Sequence, residues 1–283
     1  MIKLFVSDMD GTLLNGQHTI SPKTVENIKK LQASGIEFMI ATGRTFASSK
    51  SLLQLFDIEC ELINLNGAAI YDQEGNILES IPLEKNITQS LIEYCNNYHL
   101  EYTIMTENNI YVNNKEIFMK RMNDYFKSSE SIGANITSVQ FLSEFNNSFD
   151  ISEMQNHPLE HPLKMIVVSE KTATLASLKR LFEKDGSLDI TSTGDDNLEI
   201  THIYAQKGFA IQAYANKKGW SMEEVATIGD SLNDRSMLKM AGYGFVMSNA
   251  HDELKKLTPY IAPSNEDDGV SKIIDDILLG KYV

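Results

Sequence analysis

The sequence predicts an α/β protein in which a parallel-sheet core is interrupted by an inserted α+β domain. Two observations support this prediction: apolar strand-like runs alternate with amphipathic helical runs at both ends of the 283-residue chain, and the alternation fails in the middle. Parallel neighbours need a helical crossover, whereas the middle contains strand-like runs joined by short polar turns. The expected organisation is a core formed by residues 1–83 and 195–283, with a second domain at residues 84–194.

The first alternating series begins with a buried strand. Lys3–Ser7 is an apolar run, and Ser21-Pro22 then offers an N-cap and a first-turn proline for a helix. Val25, Ile28 and Leu31 share one face of that helix, which Gly35 ends. The series continues with a strand at Glu37–Ala41, a helix at Thr45–Phe56 and a strand at Glu61–Leu65.

The pattern changes after residue 67. Ala69–Tyr71 and Asn76–Ile81 flank a polar turn and predict a hairpin, while Asn123 to Pro162 is polar and weakly periodic. The other expected elements of this region are a helix at Ile87–Tyr98, strands at Glu101–Thr106 and Ile110–Asn113, a strand at Leu163–Ser169, a helix at Thr172–Asp185, and an antiparallel pair at Leu188–Thr193 and Asn197–Thr201.

Alternation resumes near residue 208 and continues to the end of the chain. The expected elements are a helix at Gly208–Lys218, a strand at Val225–Ile228, a helix at Ser231–Met240, a strand at Tyr243–Met247 and a helix at Gly269–Leu278. In an open parallel sheet, ligands bind beyond the carboxyl ends of the strands. The residues that follow each strand are therefore the candidate site residues.

Composition narrows the function classes. Apolar residues make up 42% of the chain, charged residues 23%, and the formal net charge is −14. This charge gives no electrostatic footprint for nucleic acid or an anionic membrane surface. No apolar run approaches the roughly 18 residues of a spanning helix, and the first strand begins too close to Met1 for a signal peptide. A cytoplasmic protein is expected, with Cys60 and Cys95 as reduced structural thiols.

Two carboxylates stand one residue apart at the end of the first predicted strand. Asp8 and Asp10 would lie on one face of an extended chain, and nearby carboxylates repel each other unless a cation lies between them. Mg²⁺ prefers oxygen ligands and would relieve that repulsion while holding a substrate phosphate. A surface turn, in which Asp and Gly are common, is the alternative for this segment alone.

Three more segments place polar groups at strand or helix ends. Asp230 follows a late strand within Gly229-Asp230-Ser231-Leu232-Asn233-Asp234 and could complete a metal site, although ordinary N-capping explains the segment equally well. Thr42-Gly43-Arg44 follows the second strand and offers a hydroxyl group and backbone amides for an anion. Lys207, at a helix start, could supply positive charge, with an exposed lysine as the alternative.

Together these segments resemble, in order and spacing, the four motifs of the haloacid dehalogenase-like phosphatases. The motifs are Asp8-Met9-Asp10-Gly11-Thr12, Thr42-Gly43-Arg44, Lys207-Gly208 and Gly229–Asp234. Asn66-Gly67-Ala68, Met247-Ser248-Asn249-Ala250 and Asp268-Gly269-Val270 also resemble the Cof-type branch. The resemblance covers the whole chain and implies a Rossmann-like catalytic core with a large α/β cap domain inserted between the second and third motifs.

The resemblance implies a phosphoric monoester hydrolase. Asp8 would be the nucleophile and form an aspartyl-phosphate, and Asp10 would act as general acid and then general base. The implied Mg²⁺ ligands are Asp8, the backbone of Asp10 and Asp230. Phosphate-binding residues would be Asp8, Met9, Thr42, Gly43 and Lys207, with Thr12, Asn233 and Asp234 in supporting positions. Arg44 is a candidate substrate contact that could instead pair with a nearby carboxylate.

The resemblance implies a small phosphorylated metabolite, such as a sugar phosphate, as the substrate of a monomer or weak homodimer. Two other functions stay open on the sequence alone. A sugar phosphomutase would use the same aspartate pair and would require a bisphosphate activator. A non-catalytic regulatory or binding protein on the same fold would usually have lost Asp8 or Asp10, and both are present.

Overall fold

The chain forms two compact units, one of residues 1–78 and 206–282 and the other of residues between 79 and 205. The computed structural model describes residues 1–107, 109–120, 148–155, 158–192 and 194–282. Much of the weakly periodic stretch from Asn123 to Pro162 therefore lies outside the described residues. Within the described part of the chain, no helix has both the length and the apolar character needed to span a membrane.

An eight-stranded sheet forms the centre of the first unit, with strand order β14-β13-β12-β1-β2-β3-β4-β5. The six strands from β14 to β3 are parallel, and β4 runs antiparallel to β3. This is the predicted parallel core with a hairpin at one edge. The strands are β1 (Leu4–Ser7), β2 (Glu37–Ala41), β3 (Glu61–Asn64), β4 (Ala69–Tyr71), β5 (Ile77–Ser80), β12 (Val225–Gly229), β13 (Tyr243–Met247) and β14 (Ile261–Ala262).

Helices connect these strands and begin at the predicted signals. The Ser21 hydroxyl accepts a hydrogen bond from the Thr24 backbone N–H at 3.1 Å, so the predicted N-cap of the first helix is confirmed. The helix predicted from Ser231 instead starts as a single tight turn at Leu232–Asp234. The helices are α1 (Pro22–Ala33), α2 (Phe46–Gln54), α5 (Lys207–Lys217), α6 (Arg235–Met240), α7 (Asp252–Lys255) and α8 (Gly269–Leu278).

The core of the first unit is apolar and continuous across the sheet. Phe5 and Phe38 stack with ring centroids 6.2 Å apart on neighbouring strands, and both are buried. Cys60 is a free, buried thiol in the same core, and burial raises its pKa to about 12. A thiol held in this protonated form is unreactive, which agrees with the structural role expected for it.

The second unit has a six-stranded sheet of order β10-β11-β9-β6-β7-β8 and its own apolar core. Its elements are α3 (Lys85–Asn97), β6 (Glu101–Thr106), β7 (Ile110–Val112), β8 (Phe149–Asp150), β9 (Pro162–Val168), α4 (Thr172–Phe182), β10 (Leu188–Thr191) and β11 (Asn197–His202), and residues 115–120 are also helical. Leu91 and Cys95 on α3 and Leu175 on α4 are buried in this core.

Two features of the second unit were not expected from the sequence. The predicted antiparallel pair β10–β11 is confirmed, but β11 also pairs with β9, so residues 197–202 belong to this unit and not to the core segment that was predicted to start at residue 195. In addition, Lys164 on β9 is only 2% exposed, and its Nζ lies 2.8 Å from Glu199 Oε2 on β11.

Candidate active site

Four neighbouring parallel strands of the first unit end in polar residues. The registers Ser7↔Ile228, Ser7↔Ile40 and Ala41↔Ile63 align β12, β1, β2 and β3. Because their carboxyl ends meet at one edge, the residues that follow them are gathered there: Asp230 after β12, Asp8 after β1, Thr42 after β2 and Leu65-Asn66-Gly67 after β3. This is the edge at which the sequence placed the candidate residues.

The loop after β1 is a wide turn, Met9–Leu13, closed by a hydrogen bond from the Leu14 N–H to the Met9 carbonyl at 2.9 Å. Gly11 adopts a left-handed conformation, with φ 77°, and a Cβ atom there would lie 2.6 Å from Asp230 Oδ2. Only glycine allows both the backbone conformation and this close approach. The first motif is therefore shaped to bring its backbone against the fourth.

Lys207 links two of the motif carboxylates. It begins α5, its side chain is completely buried, and its Nζ lies 2.6 Å from both Asp8 Oδ1 and Asp234 Oδ1. Burial alone would lower the lysine pKa, but the two carboxylates outweigh burial and raise it, so the ammonium form is retained. The exposed-lysine alternative is wrong for this residue.

Hydrogen bonds fix the two aspartates of the fourth motif in different ways. Asp234 Oδ2 accepts from the backbone N–H groups of Asp230 and Ser231, each at 2.9 Å, which leaves Oδ1 towards Lys207. Asp230 Oδ1 accepts from the Thr12 hydroxyl at 2.7 Å. Thr12 thus orients Asp230, and Asp234 orients the loop and the lysine.

Three carboxylates with one ammonium group leave an excess of negative charge. Asp8, Asp230 and Asp234 each offer an oxygen within 4.8 Å of the others, a spacing that could hold a metal ion. Burial and the nearby Asp234 carboxylate raise the pKa of Asp8 against the lowering effect of Lys207, and burial also raises the pKa of Asp230. Burial is the largest cause of both pKa shifts, and the neighbouring Asp234 carboxylate adds to it. A bound cation would offset both effects, so the residues of the site suit a hard cation.

Asp10 does not join this carboxylate cluster through its side chain. Arg44 donates from Nε to Asp10 Oδ2 at 2.7 Å and from Nη2 to Oδ1 at 2.6 Å, a two-bond ion pair. Burial opposes ionisation of Asp10, but the Arg44 bonds outweigh it and lower the carboxyl pKa. The structure thus shows the carboxylate pairing that the sequence left open for Arg44. The third guanidinium nitrogen of Arg44, Nη1, is buried and has no hydrogen-bond partner among the described residues.

The loop after β2 carries Thr42 and Gly43, for which anion binding stays a prediction. Thr42 is buried, and its hydroxyl oxygen accepts from the Arg44 backbone N–H at 3.2 Å. A Cβ atom at Gly43 would lie 2.8 Å from Asn66 Oδ1, so a side chain at that point would require the Asn66 side chain to shift. Met9 also has a buried side chain, which leaves only its backbone to contact an anion.

Sequence reasoning assigned no role to two asparagines that the structure places against the motifs. Asn66 Oδ1 accepts from Asn233 Nδ2 at 3.1 Å, and Asn249 Nδ2 donates to the Gly11 carbonyl at 2.8 Å. Both asparagines belong to the segments that carried only the Cof-type resemblance. Their position after predicted strands was the available signal, because Asp8, Thr42 and Asp230 share it.

Comparison with known proteins gives matches along nearly the whole chain. The family model of haloacid dehalogenase-like hydrolases matches residues 5–274. Phosphatase YwpJ of Bacillus subtilis is 29% identical, covering 98% of this chain and 100% of that protein. A second Bacillus subtilis relative, named 5-amino-6-(5-phospho-D-ribitylamino)uracil phosphatase YcsE, is 29% identical over 96% of this chain and 94% of its own length.

Solved structures show the same fold. A haloacid dehalogenase-like hydrolase from Bacillus subtilis superposes with a TM-score of 0.81 at 26% identity, covering 97% of this chain and 99% of that one. A haloacid dehalogenase-like hydrolase from Bacteroides thetaiotaomicron gives 0.77 at 24% identity, covering 98% and 100%. The motif geometry, the family match and the phosphatase relatives lead to one conclusion: the chain belongs to the haloacid dehalogenase-like hydrolases and is a phosphoric monoester hydrolase.

Proposed function

We propose that this hydrolase is a Mg²⁺-dependent phosphatase of small phosphorylated metabolites that works through an aspartyl-phosphate on Asp8. The observation that supports this most directly is the Asp8 carboxylate itself, which is buried at the end of β1, 2.6 Å from the Lys207 ammonium. An anionic phosphoryl group would be repelled by a carboxylate alone. A buried cation beside the nucleophile offsets that repulsion, and a low-dielectric site strengthens the effect.

The proposed reaction has two displacement steps at phosphorus. In the first, an Asp8 oxygen forms a bond to phosphorus while the bond to the leaving oxygen breaks, and the leaving alcohol takes a proton from Asp10. In the second, water forms a bond to phosphorus, Asp10 accepts the proton of that water, and the bond to Asp8 breaks. Inorganic phosphate leaves, and both carboxyl groups return to their starting states.

Arg44 favours one of the two roles of Asp10. Its two hydrogen bonds hold the Asp10 side chain in one orientation and favour the carboxylate form. That form suits the base step. For the acid step, Asp10 has to bind a proton first, and the approach of a substrate oxygen would compete with Arg44 for the same carboxylate.

The phosphoryl oxygens would be held by the groups that the second and third motifs present. The Thr42 hydroxyl accepts from the Arg44 backbone, so its own proton can be donated to a phosphoryl oxygen. Lys207 contributes its charge, and the backbone N–H groups of Met9 and Gly43 would complete the set. Such donors stabilise the charge that develops in the transition state.

Asp8, the backbone carbonyl of Asp10 and Asp230 would hold Mg²⁺. When bound, the ion supplies positive charge that offsets the charges of the nucleophile and the phosphoryl group. Asp234 belongs to the spatial cluster, but both of its oxygens already accept hydrogen bonds. We therefore assign it to positioning Lys207 and the loop, while Thr12 orients Asp230.

The substrate class follows from the relatives and from what the motifs can recognise. The name of one Bacillus subtilis relative specifies a uracil compound that carries a phosphorylated ribitylamino group. The motif residues named above engage the phosphoryl group that all such esters share. We therefore propose sugar phosphates and similar metabolites as a class. The role of the second unit as a cap stays a prediction.

The proposal is tested with an aryl phosphate as a generic substrate. The wild-type protein should release inorganic phosphate with Mg²⁺ and lose this activity with EDTA. Asp8→Asn should lower kcat at least about 10³-fold because the amide cannot replace the nucleophile. Asp252→Asn, at an exposed carboxylate on α7, is the matched control and should behave as wild type.

Acid quenching of a single turnover followed by mass spectrometry locates the intermediate. We expect one phosphoryl group on the peptide that carries Asp8, and none in Asp8→Asn. Retained turnover in Asp8→Asn, or a phosphoryl group on another residue, would contradict the proposed nucleophile. A phosphoryl group that passes from the enzyme to a hydroxyl of a sugar monophosphate and not to water, in a reaction that requires a bisphosphate activator, would instead identify a mutase.

A further inference from the structure

Asn66 occupies an unusual backbone position at the end of β3. Leu65 and Asn66 both have positive φ, 51° and 62°, and the Asn66 N–H donates to the Thr42 carbonyl at 3.0 Å. Among residues with a Cβ atom, asparagine tolerates this left-handed region best. The conformation turns the buried Asn66 side chain away from the direction that the strand would have given it.

The Asn66 side chain contacts two of the motif loops. Its Oδ1 accepts from Asn233 Nδ2 at 3.1 Å in the fourth motif, and the same oxygen lies 2.8 Å from the point where a Cβ atom of Gly43 would be in the second motif. Its neighbour Gly67, also left-handed, approaches the backbone that leads into Lys207. Residues 66 and 67 therefore form a brace between the loops of the second, third and fourth motifs.

This contact determines which end of the Asn233 amide is available. Because Nδ2 donates to Asn66, the carbonyl oxygen Oδ1 must face the other way. That oxygen is buried and has no hydrogen-bond partner among the residues that the structure describes. A buried acceptor without a donor is costly unless a ligand satisfies it.

The chemistry of an amide oxygen restricts what that ligand can be. A phosphate dianion offers no proton for Oδ1 to accept, so the oxygen is not a phosphate contact. A hard divalent cation, or a water molecule bound to it, is a suitable partner for an amide oxygen. Asn233 lies on the same loop as Asp230, one of the residues proposed to hold that cation.

We propose that Asn66 is a positioning residue for the divalent cation, which acts by fixing the Asn233 amide so that its carbonyl oxygen faces the cation or its bound water. This inference rests on the proposed function only in assuming a divalent cation at Asp8 and Asp230. It assigns a role to a residue outside the four motifs, and it requires no direct contact between Asn66 and the cation.

Equilibrium binding of Mg²⁺ alone to the metal-free protein tests the proposal, with isothermal titration calorimetry as the readout. Asn66→Gly removes the side chain and accepts the left-handed backbone, and it should weaken Mg²⁺ binding about 10- to 100-fold, as is typical when a residue that orients a metal ligand is lost. Asn233→Ala should weaken it similarly. In the double variant the loss of Mg²⁺ affinity should not exceed the larger of the two single losses, because both substitutions remove the same interaction.

Two controls separate this role from a structural one. Asn66→Asp keeps an oxygen that accepts from Asn233 Nδ2 and should restore Mg²⁺ affinity to near the wild-type value. His99→Gly places the same substitution at another left-handed residue, φ 54°, in the second unit, and should leave Mg²⁺ binding unchanged. Thermal melting in EDTA shows that each variant is folded before it is titrated.

The proposal is overturned if Asn66→Gly binds Mg²⁺ as the wild type does, or if the two single losses multiply in the double variant. Its failure is distinguishable from failure of the proposed phosphatase function. If the wild type binds Mg²⁺ in the Asn66-dependent way but releases no phosphate from any ester, the function fails and the positioning role stands. If the wild type is active and Asn66→Gly keeps full Mg²⁺ affinity, only the positioning role fails.

Discussion

Both units of this protein bury a lysine, but in different electrostatic settings. In the first unit, Lys207 lies 2.6 Å from Asp8 and from Asp234, and Asp230 is in the same cluster. In the second unit, Lys164 lies 2.8 Å from Glu199 on the neighbouring strand. The first group carries more negative than positive charge, whereas the second is a pair of opposite charges.

The difference shows how to distinguish a functional charge cluster from a structural one. A paired lysine and glutamate neutralise each other, so this arrangement needs no further ion. Three carboxylates around one lysine leave an excess of negative charge. Burial is the largest cause of the raised pKa values of Asp8 and Asp230, and the Asp234 carboxylate raises both further. Both lysines are buried, so the excess of carboxylates is what distinguishes the first cluster and makes its residues suit a cation.

Of the changes that test this difference, removal of the lysine from the unbalanced cluster should have the largest effect on stability. Lys207→Met leaves Asp8 and Asp234 buried without a counter-charge, so the free energy of unfolding should fall by about 3–5 kcal/mol in EDTA. Chemical denaturation with a spectroscopic readout measures it. Activity towards an aryl phosphate should be lost as well.

Lys207→Arg keeps a positive charge and is the matched control for that change. It should be more stable than Lys207→Met, although the larger guanidinium group is not expected to restore full activity. If Lys207→Met were as stable as the wild type, the two carboxylates would be protonated or hydrated at little cost. The charge-cluster interpretation would then be incorrect.

Adding a cation should have the next largest effect. At about 100 times its dissociation constant, Mg²⁺ should raise the unfolding free energy by roughly 2.7 kcal/mol through mass action, provided that the unfolded chain does not bind it. Asp230→Asn should lose most of this stabilisation, and Asp252→Asn should retain it. Thermal melting with increasing MgCl₂ provides the measurement. Equal stabilisation of Asp230→Asn and the wild type would place the cation elsewhere.

Replacement of the balanced pair should have the smallest effect. Lys164→Met with Glu199→Leu should change the unfolding free energy by less than about 1.5 kcal/mol, because an apolar pair can replace a buried ion pair at little cost. Lys164→Met alone should be more destabilising than the double variant, since it removes the positive charge beside the Glu199 carboxylate. Mg²⁺ affinity should not change in either variant. A double variant that lost Mg²⁺ binding would link this pair to the site.

Strand ends could be predicted from the sequence because each depends on a short local pattern. Asp8, Thr42 and Asp230 each follow an apolar run, and parallel pairing gathers the ends of those runs. Two-residue strands such as β8 and β14 are too short to show periodicity and were not predicted. The assignment of β11 to the second unit depends on its pairing with β9, which the sequence pattern does not encode.

The contacts within the site were less predictable than its residues. Complete burial of Lys207 follows from packing of α5 against the sheet, and no local pattern distinguishes a buried lysine from an exposed one. The Arg44–Asp10 pair joins residues 34 positions apart and was only one of two alternatives. The hydrogen bond between Asn66 and Asn233 joins residues 167 positions apart and depends on a left-handed backbone at Asn66. The only sequence signal for that conformation is the Asn66-Gly67 pair, which indicates a turn but not its contacts.

The strand order of the first sheet has a consequence for how the protein is made. β1 lies at the centre of the sheet between β2 and β12, and the Thr12–Asp230 hydrogen bond joins residues 218 positions apart. Until residues 225–229 leave the ribosome, β1 can pair only with β2, and its other backbone edge stays open to wrong partners. The edge that carries the candidate site therefore cannot assemble before synthesis of the chain is nearly complete, so a nascent chain that stops after the second unit contains Asp8 without Lys207, Asp230 and Asp234.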